Sequence, residues 1–187
     1  MAVRSFIAID VSDPDIVAKI LAIQEEILSS NAKLKPVERE NLHFTLKFLG
    51  NVEEARIEII KRLMDDILRN FQPFKMELSS VGAFPTASRP NVVWIGAGEG
   101  RELFIRMASE LDRALSRLGF QREKRAIEPH LTIARVKGHV GNLPDVIRRL
   151  SDVRVGYVTV SEVKLKRSTL TPEGPIYGDL HVVSLGK

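Results

Sequence analysis

The chain has 187 residues, no cysteine and a formal net charge of +4, a length that suits one domain or two closely joined lobes around a substantial core. The missing cysteines exclude disulfides, thiolate nucleophiles and cysteine-ligated zinc or iron-sulfur centres, so any chemistry must rest on His, Ser, Thr, Lys, Arg or carboxylates. No apolar run approaches the roughly 18 to 20 residues of a membrane span, and the opening apolar stretch Ser5 to Val11 carries Asp10 and lacks a signal peptide's layout; the sequence predicts a soluble, cytoplasmic protein with no membrane partner.

Taken in order, Val3 to Asp10 is rich in β-branched and aromatic residues and reads as a strand. Ser12-Asp13-Pro14-Asp15 then supplies a cap, an early proline and first-turn acids for a helix whose stripe is Ile16, Val17, Ile20, Leu21, Ile27 and Leu28. Lys33 to Glu40 is a connector into a strand from Asn41 to Gly50. A second amphipathic helix runs to about Asn70 on Ile59, Ile60, Leu63, Met64, Ile67 and Leu68. Phe74 to Val81 and Asn91 to Gly96 read as strands, and the glycine, prolines and small polar residues from Gly82 to Pro90 predict a loop between them. Glu102 to Leu118 is a third helix, stopped at Gly119. Phe120 to Val136 reads as a hairpin or an interrupted strand, because Pro129 removes a ladder donor. A short helix over Leu143 to Leu150 and two strands, Arg154 to Lys166 and Ile176 to Ser184, close the chain.

Two of these strands carry more than a fold signal. In N-L-H-F-T-L-K-F-L-G, alternation predicts that Leu42, Phe44, Leu46 and Phe48 face a core while His43, Thr45 and Lys47 form one polar row. E-P-H-L-T-I-A-R-V repeats the arrangement, with His130 and Thr132 alternating against Leu131 and Ile133. Half-polar strands argue against a sheet covered on both faces, so the fold expected is α+β. It comprises two pseudo-symmetric lobes, each an antiparallel sheet with helices on its outer face, forming a central cleft. The lobes would intertwine as one domain, one carrying His43 and Thr45 and the other His130 and Thr132.

Imidazole titrates near neutrality, so one histidine can act as base and another as acid in a single turnover. Thr45 and Thr132 would project beside them and hydrogen-bond the non-bridging oxygens of a phosphate held between the rows. Lys47 extends the first row with a positive charge. Arg135 falls on the opposite parity from His130, so a regular strand would turn it away from the phosphate. Between Arg117 and Arg149 eight basic residues stand against three acidic ones, a zone suited to a polyanion if it also clusters in space.

The motifs H-F-T-L-K-F-L-G at His43 and P-H-L-T-I-A-R at Pro129 carry a resemblance to the RNA 2',3'-cyclic phosphodiesterases, first described as 2'-5' RNA ligases, of the two-histidine phosphoesterase superfamily. So do F-I-A-I-D at Phe6, F-P at Phe84 ahead of V-V-W-I-G at Val92, and S-T-L-T-P-E-G-P-I-Y at Ser168. The resemblance implies hydrolysis of a 2',3'-cyclic phosphate at an RNA end to a 2'-phosphate, with no metal and no cofactor. His43 would be the general acid, His130 the general base, and Thr45 and Thr132 the phosphate holders, joined by Lys47 and Arg135 as further candidates. The implied partner is RNA with a cyclic-phosphate end, tRNA fragments among the candidates, met by a monomer. The alternatives are 2'-5' ligation of cyclic-phosphate and 5'-hydroxyl ends, and an RNA-end binding protein without catalysis.

Other chemistry has weaker support. The rows hold hydroxyls where a zinc or di-metal site would want carboxylates or more histidines, and no G-x-S-x-G elbow is present for a serine hydrolase. Phe84, Trp94 and Tyr177 are candidates for base stacking, although aromatics in strands more commonly belong to cores. His139 and His181 lie outside the motifs and read as structural or surface residues.

Overall fold

In the computed structural model, which describes Met1–Lys187, the alternating segments assemble into one nine-stranded antiparallel sheet. The strands are β1 (Ala2–Asp10), β2 (Leu34–Pro36), β3 (His43–Glu53), β4 (Phe74–Thr86), β5 (Arg89–Ala97), β6 (His130–Val136), β7 (Arg154–Val160), β8 (Glu162–Thr171) and β9 (Gly174–Ser184). Their order across the sheet is β7-β4-β5-β6-β3-β1-β8-β9, with the short β2 paired to β6. β3 and β6 meet at the centre through the pair Phe44 and Leu131. Reading outward from that pair, β3-β1-β8-β9 mirrors β6-β5-β4-β7, so the two lobes are halves of one sheet.

Four helices cover the apolar face: α1 (Pro14–Leu28), α2 (Glu54–Leu68), α3 (Arg101–Ser116) and α4 (Leu143–Arg149). Asp13 caps α1, its Oδ1 accepting from the backbone N–H of Asp15 at 3.0 Å and of Ile16 at 3.1 Å, with Pro14 pre-set at the first helical position. Helices cross between the halves. α1 packs on β6 and β7 and α4 on β4 and β5, whereas α2 and α3 lie against β3. The buried stripe of each helix joins a single apolar cluster with the inward residues of the strands.

Four segments differ from the sequence reading, the first being the expected connector Lys33 to Glu40, which contains β2. Gly82 to Pro90 is not a loop: β4 and β5 run through it as a hairpin turning at Ala87 and Ser88. Its prolines are tolerated because Pro85 and Pro90 oppose each other near the tip. Gly82 is demanded by packing, since a Cβ there would collide with the Trp94 ring. The predicted strand Arg154 to Lys166 is two strands, because at Ser161 the chain leaves its partner β4 and goes on to pair with β1 and β9. Between Gly119 and Pro129 the chain has no strand, and β6 starts at His130.

Candidate active site

The antiparallel count about Phe44 and Leu131 sets His43 across from Thr132 and Thr45 across from His130, all four on the face away from the helices. That concave face holds a cavity of about 520 Å³ lined by both histidines and both threonines. His43 Nδ1 lies 2.7 Å from the carbonyl oxygen of Asn41, and His130 Nδ1 lies 3.1 Å from that of Glu128. A carbonyl oxygen only accepts, so in each ring Nδ1 carries the proton. Nε2 is left as the working nitrogen in both protonation states. Each imidazole is thus held by the carbonyl two residues before it, in the same way in both halves.

Their surroundings differ. His43 packs against Phe6 at 5.1 Å and edge-on to Tyr177 at 5.4 Å between ring centroids. Burial pulls its pKa below the ordinary 6.5, against the opposing pull of the Asn41 carbonyl and the Asp10 charge. Asp10, opposite His43 in the β1–β3 register, belongs to a ring of charges on the same face. Lys166 contacts Asp10 at 2.9 Å and Asp179 at 3.0 Å, and Lys164 contacts each of them at 2.9 Å. In the other half Gly96 stands opposite His130, and the neighbouring group is aromatic: Phe84, 41% exposed, lies edge-on to His130 at 5.0 Å and packs on Trp94 at 5.4 Å.

A β-bulge in each central strand corrects the alternation. Ile7 pairs with Lys47 but the next residue, Ala8, pairs with Thr45, leaving Leu46 as an extra residue. Lys47 therefore turns to the helix side, where it is 3% exposed, and Phe48 turns outward at 49%. This corrects both expectations: Lys47 is no phosphate ligand and Phe48 is no core residue. The Lys47 ammonium donates to Asp112 Oδ1 at 2.8 Å, to Glu123 Oε1 at 2.8 Å and to the carbonyl of Gln121 at 2.7 Å. In β6 the same shift leaves Ile133 extra, since Val93 pairs with Ala134 and Trp94 with Thr132. Arg135 is thereby brought to the concave face and lines the cavity with His130, against the parity expected of a regular strand. The two motifs now correspond position by position, with Lys47 matching the buried Ala134 and Phe48 matching Arg135.

Strand parity also missed Arg4, Lys35 and Lys137, which line the cavity with Arg135 against the single carboxylate of Glu38. The site has the electrostatics of an anion cleft. Ser168, Leu170 and Thr171 on the β8–β9 hairpin close one side. That hairpin is tied across the cleft by Asn41 Nδ2 donating to the Pro175 carbonyl at 3.2 Å, and by Lys35 donating to the Glu173 carbonyl. His139 and His181 lie elsewhere, on the Asn31 carbonyl and on Asp65. No helix is long and apolar enough to cross a membrane.

With this geometry in hand, the chain matches the profile of LigT like phosphoesterases twice, over residues 9–94 and 95–177, one match for each His-x-Thr motif. It is 42% identical over 187 residues to the RNA 2',3'-cyclic phosphodiesterase of Methanothermobacter thermautotrophicus, covering 99% of this chain and 100% of that one. To the enzyme of the same name from Archaeoglobus fulgidus it is 44% identical over 179 residues, covering 96% and 98%. Among solved structures, a Thermus thermophilus protein superposes with a TM-score of 0.85 at 28% identity, over 98% of each chain. Escherichia coli LigT complexed with 3'-AMP superposes at 0.82 with 25% identity, over 100% of each. Doubled motif, doubled match and full-length similarity agree, and the chain belongs to the LigT-like phosphoesterase family.

Proposed function

We propose that this protein hydrolyses RNA 2',3'-cyclic phosphate ends to 2'-phosphomonoesters by metal-independent acid/base catalysis. The observation that carries the reading is the pair of imidazoles, each fixed through Nδ1 and presenting Nε2 to one basic cleft. Water attacks phosphorus as the bond to the 3'-oxygen breaks. His130 Nε2 takes the proton from water, and His43 Nε2–H gives one to the departing 3'-oxygen, leaving a free 3'-hydroxyl beside a 2'-phosphate. In-line displacement needs base and acid on opposite sides of phosphorus, and the two imidazoles stand at diagonal positions on the neighbouring strands β3 and β6, both lining the cavity in which the phosphate would sit between them. Thr45 and Thr132 hold the non-bridging oxygens, with Arg135 adding charge from the second strand. The curated relatives' name and the 3'-AMP held by Escherichia coli LigT support a nucleotide in this cleft.

The direct test is incubation, in chelator, with an oligonucleotide ending in a 2',3'-cyclic phosphate. A 2'-phosphate product is expected. Tight binding with no product would leave only an RNA-end binder, and activity abolished by chelator and restored by metal would overturn the metal-free mechanism.

Two smaller effects follow from the same geometry. Thr45→Ala or Thr132→Ala removes one hydrogen bond to a charged group, worth about 1.5 to 3 kcal/mol. Each should lower kcat/KM by about 10- to 100-fold; a variant within error of wild type would remove that threonine from the phosphate site. The pH profile carries a sign. His43 must be protonated to act as acid, and burial holds its free-enzyme pKa below 6.5. The alkaline limb of kcat/KM should therefore lie below pH 6.5, while a bound phosphodiester anion, which favours the imidazolium, moves the same limb in kcat upward. Coincident limbs above that pH would contradict His43 as the acid.

A further inference from the structure

A 2',3'-cyclic phosphate occupies both ribose hydroxyls of the last nucleotide, so the rest of the RNA leaves that nucleotide through its 5'-oxygen alone. A cleft of about 520 Å³ is of the size that takes one small ligand. On the reading above, the remaining chain needs a path out of it. We infer that the preceding nucleotides pass over Phe48 into a second groove of about 560 Å³, floored by Leu49, Gly50 and Phe120 and flanked by Lys124 and Arg125.

Continuity is the first argument, since Phe48 lines both cavities. Charge is the second. Within the groove Lys47 is matched by Asp112 and Glu123, and Arg122 by Asp112, whereas Lys124 and Arg125 are exposed and make no ion pair. These two cations are free for phosphates. Aromatic lining is the third: Phe48, 49% exposed, and the half-buried Phe120, whose ring carries the Arg56 guanidinium at 4.7 Å, line the groove, and exposed aromatic rings are surfaces on which single-stranded bases stack without sequence preference. The fourth is rigidity. The segment from Gly119 to Pro129 has no secondary structure of its own, yet Lys47 grips it at Gln121 and Glu123, immediately before the two free cations. The buried lysine thus positions a groove wall although it touches no substrate. This groove is a site for single-stranded RNA recognised through its backbone.

The experiment compares kcat/KM for a decanucleotide and a dinucleotide, both ending in a 2',3'-cyclic phosphate, in wild type and in Lys124→Gln/Arg125→Gln. Wild type should prefer the longer RNA by about tenfold or more at low salt, and losing two single-strand phosphate contacts should lower the salt slope of log(kcat/KM) for the decanucleotide by about 1.4. In the variant the length preference should collapse. A wild type indifferent to length, or a variant in which the preference survives, overturns the groove, and so does an equal fall on both substrates. Failure of wild type to turn over either RNA is a different result, which sinks the hydrolase reading itself.

Discussion

His43→Ala and His130→Ala are each expected to slow hydrolysis of a cyclic-phosphate RNA end by about 10²- to 10⁴-fold, the usual size of an acid/base contribution. The loss belongs to one nitrogen in each ring, because Nδ1 is committed to the Asn41 or Glu128 carbonyl and only Nε2 reaches the cleft. Single-turnover rates measure the chemical step, and the thermal midpoint of each variant checks that the fold persists. Acid and base serve one transition state, so the double variant should fall well short of the product of the single losses. Near wild-type turnover by either single variant would end the paired mechanism.

The equivalence of the two histidines is built by the backbone. In both strands the histidine contacts the carbonyl two residues back, and both strands bulge directly after the threonine. What the halves place behind the histidines is different. The charged ring of Asp10, Lys164, Lys166 and Asp179 backs His43, and the Phe84–Trp94 pair backs His130. His43 is enclosed by Phe6 and Tyr177 with Asp10 and Lys166 nearby, whereas His130 meets the edge of the half-exposed Phe84. The asymmetry is thus a property of the outer strands of each half.

The helices and the two His-x-Thr rows were legible because periodicity of 3.6 or 2 is written locally. The bulges were not. One inserted residue reverses every side chain beyond it, so Lys47, Phe48 and Arg135 were assigned the wrong faces. The second row did carry a trace, since Ile133-Ala134 places two small or apolar residues in succession where strict alternation allows one. The first row hid it, because Phe48 is as apolar as the Leu46 that alternation would pair it with. The switch at Ser161 was hidden for another reason: which strand a segment joins depends on partners more than 70 residues away, and no local signal records it. The basic cluster was visible as charge, but its division into paired and free cations required the fold.

Lys47→Ala should be the most destabilising single change considered, by about 3 kcal/mol, the lower end of what breaking a buried ion pair costs. The lower end applies because Asp112 keeps Arg122, at 2.7 Å, and the N–H of Glu123, at 3.1 Å, while Glu123 itself is solvated. The expected loss comes from removing one of three donors to a carboxylate that is 3% exposed, not from a large net attraction. Lys47→Met with Asp112→Leu should therefore recover most of the stability lost by Lys47→Ala, since apolar replacement of a whole buried pair is near neutral. The pH dependence follows by sign. Burial by itself would lift the Asp112 pKa, but its hydrogen bonds from Lys47, Arg122 and the Glu123 amide outweigh this and hold it below 3.8, so its contribution is present above that pH and is lost as pH falls through the folded value. Burial likewise works against the Lys47 charge, but Asp112 and Glu123 prevail and raise its pKa above 10.5; that contribution is complete below this pH and fades as pH rises through the folded value. Urea unfolding of wild type and Lys47→Ala at several pH values between these limits should show a constant difference, narrowing only outside them. A difference that vanished at neutral pH would mean the lysine is solvated, and with it would go the anchored wall of the second groove.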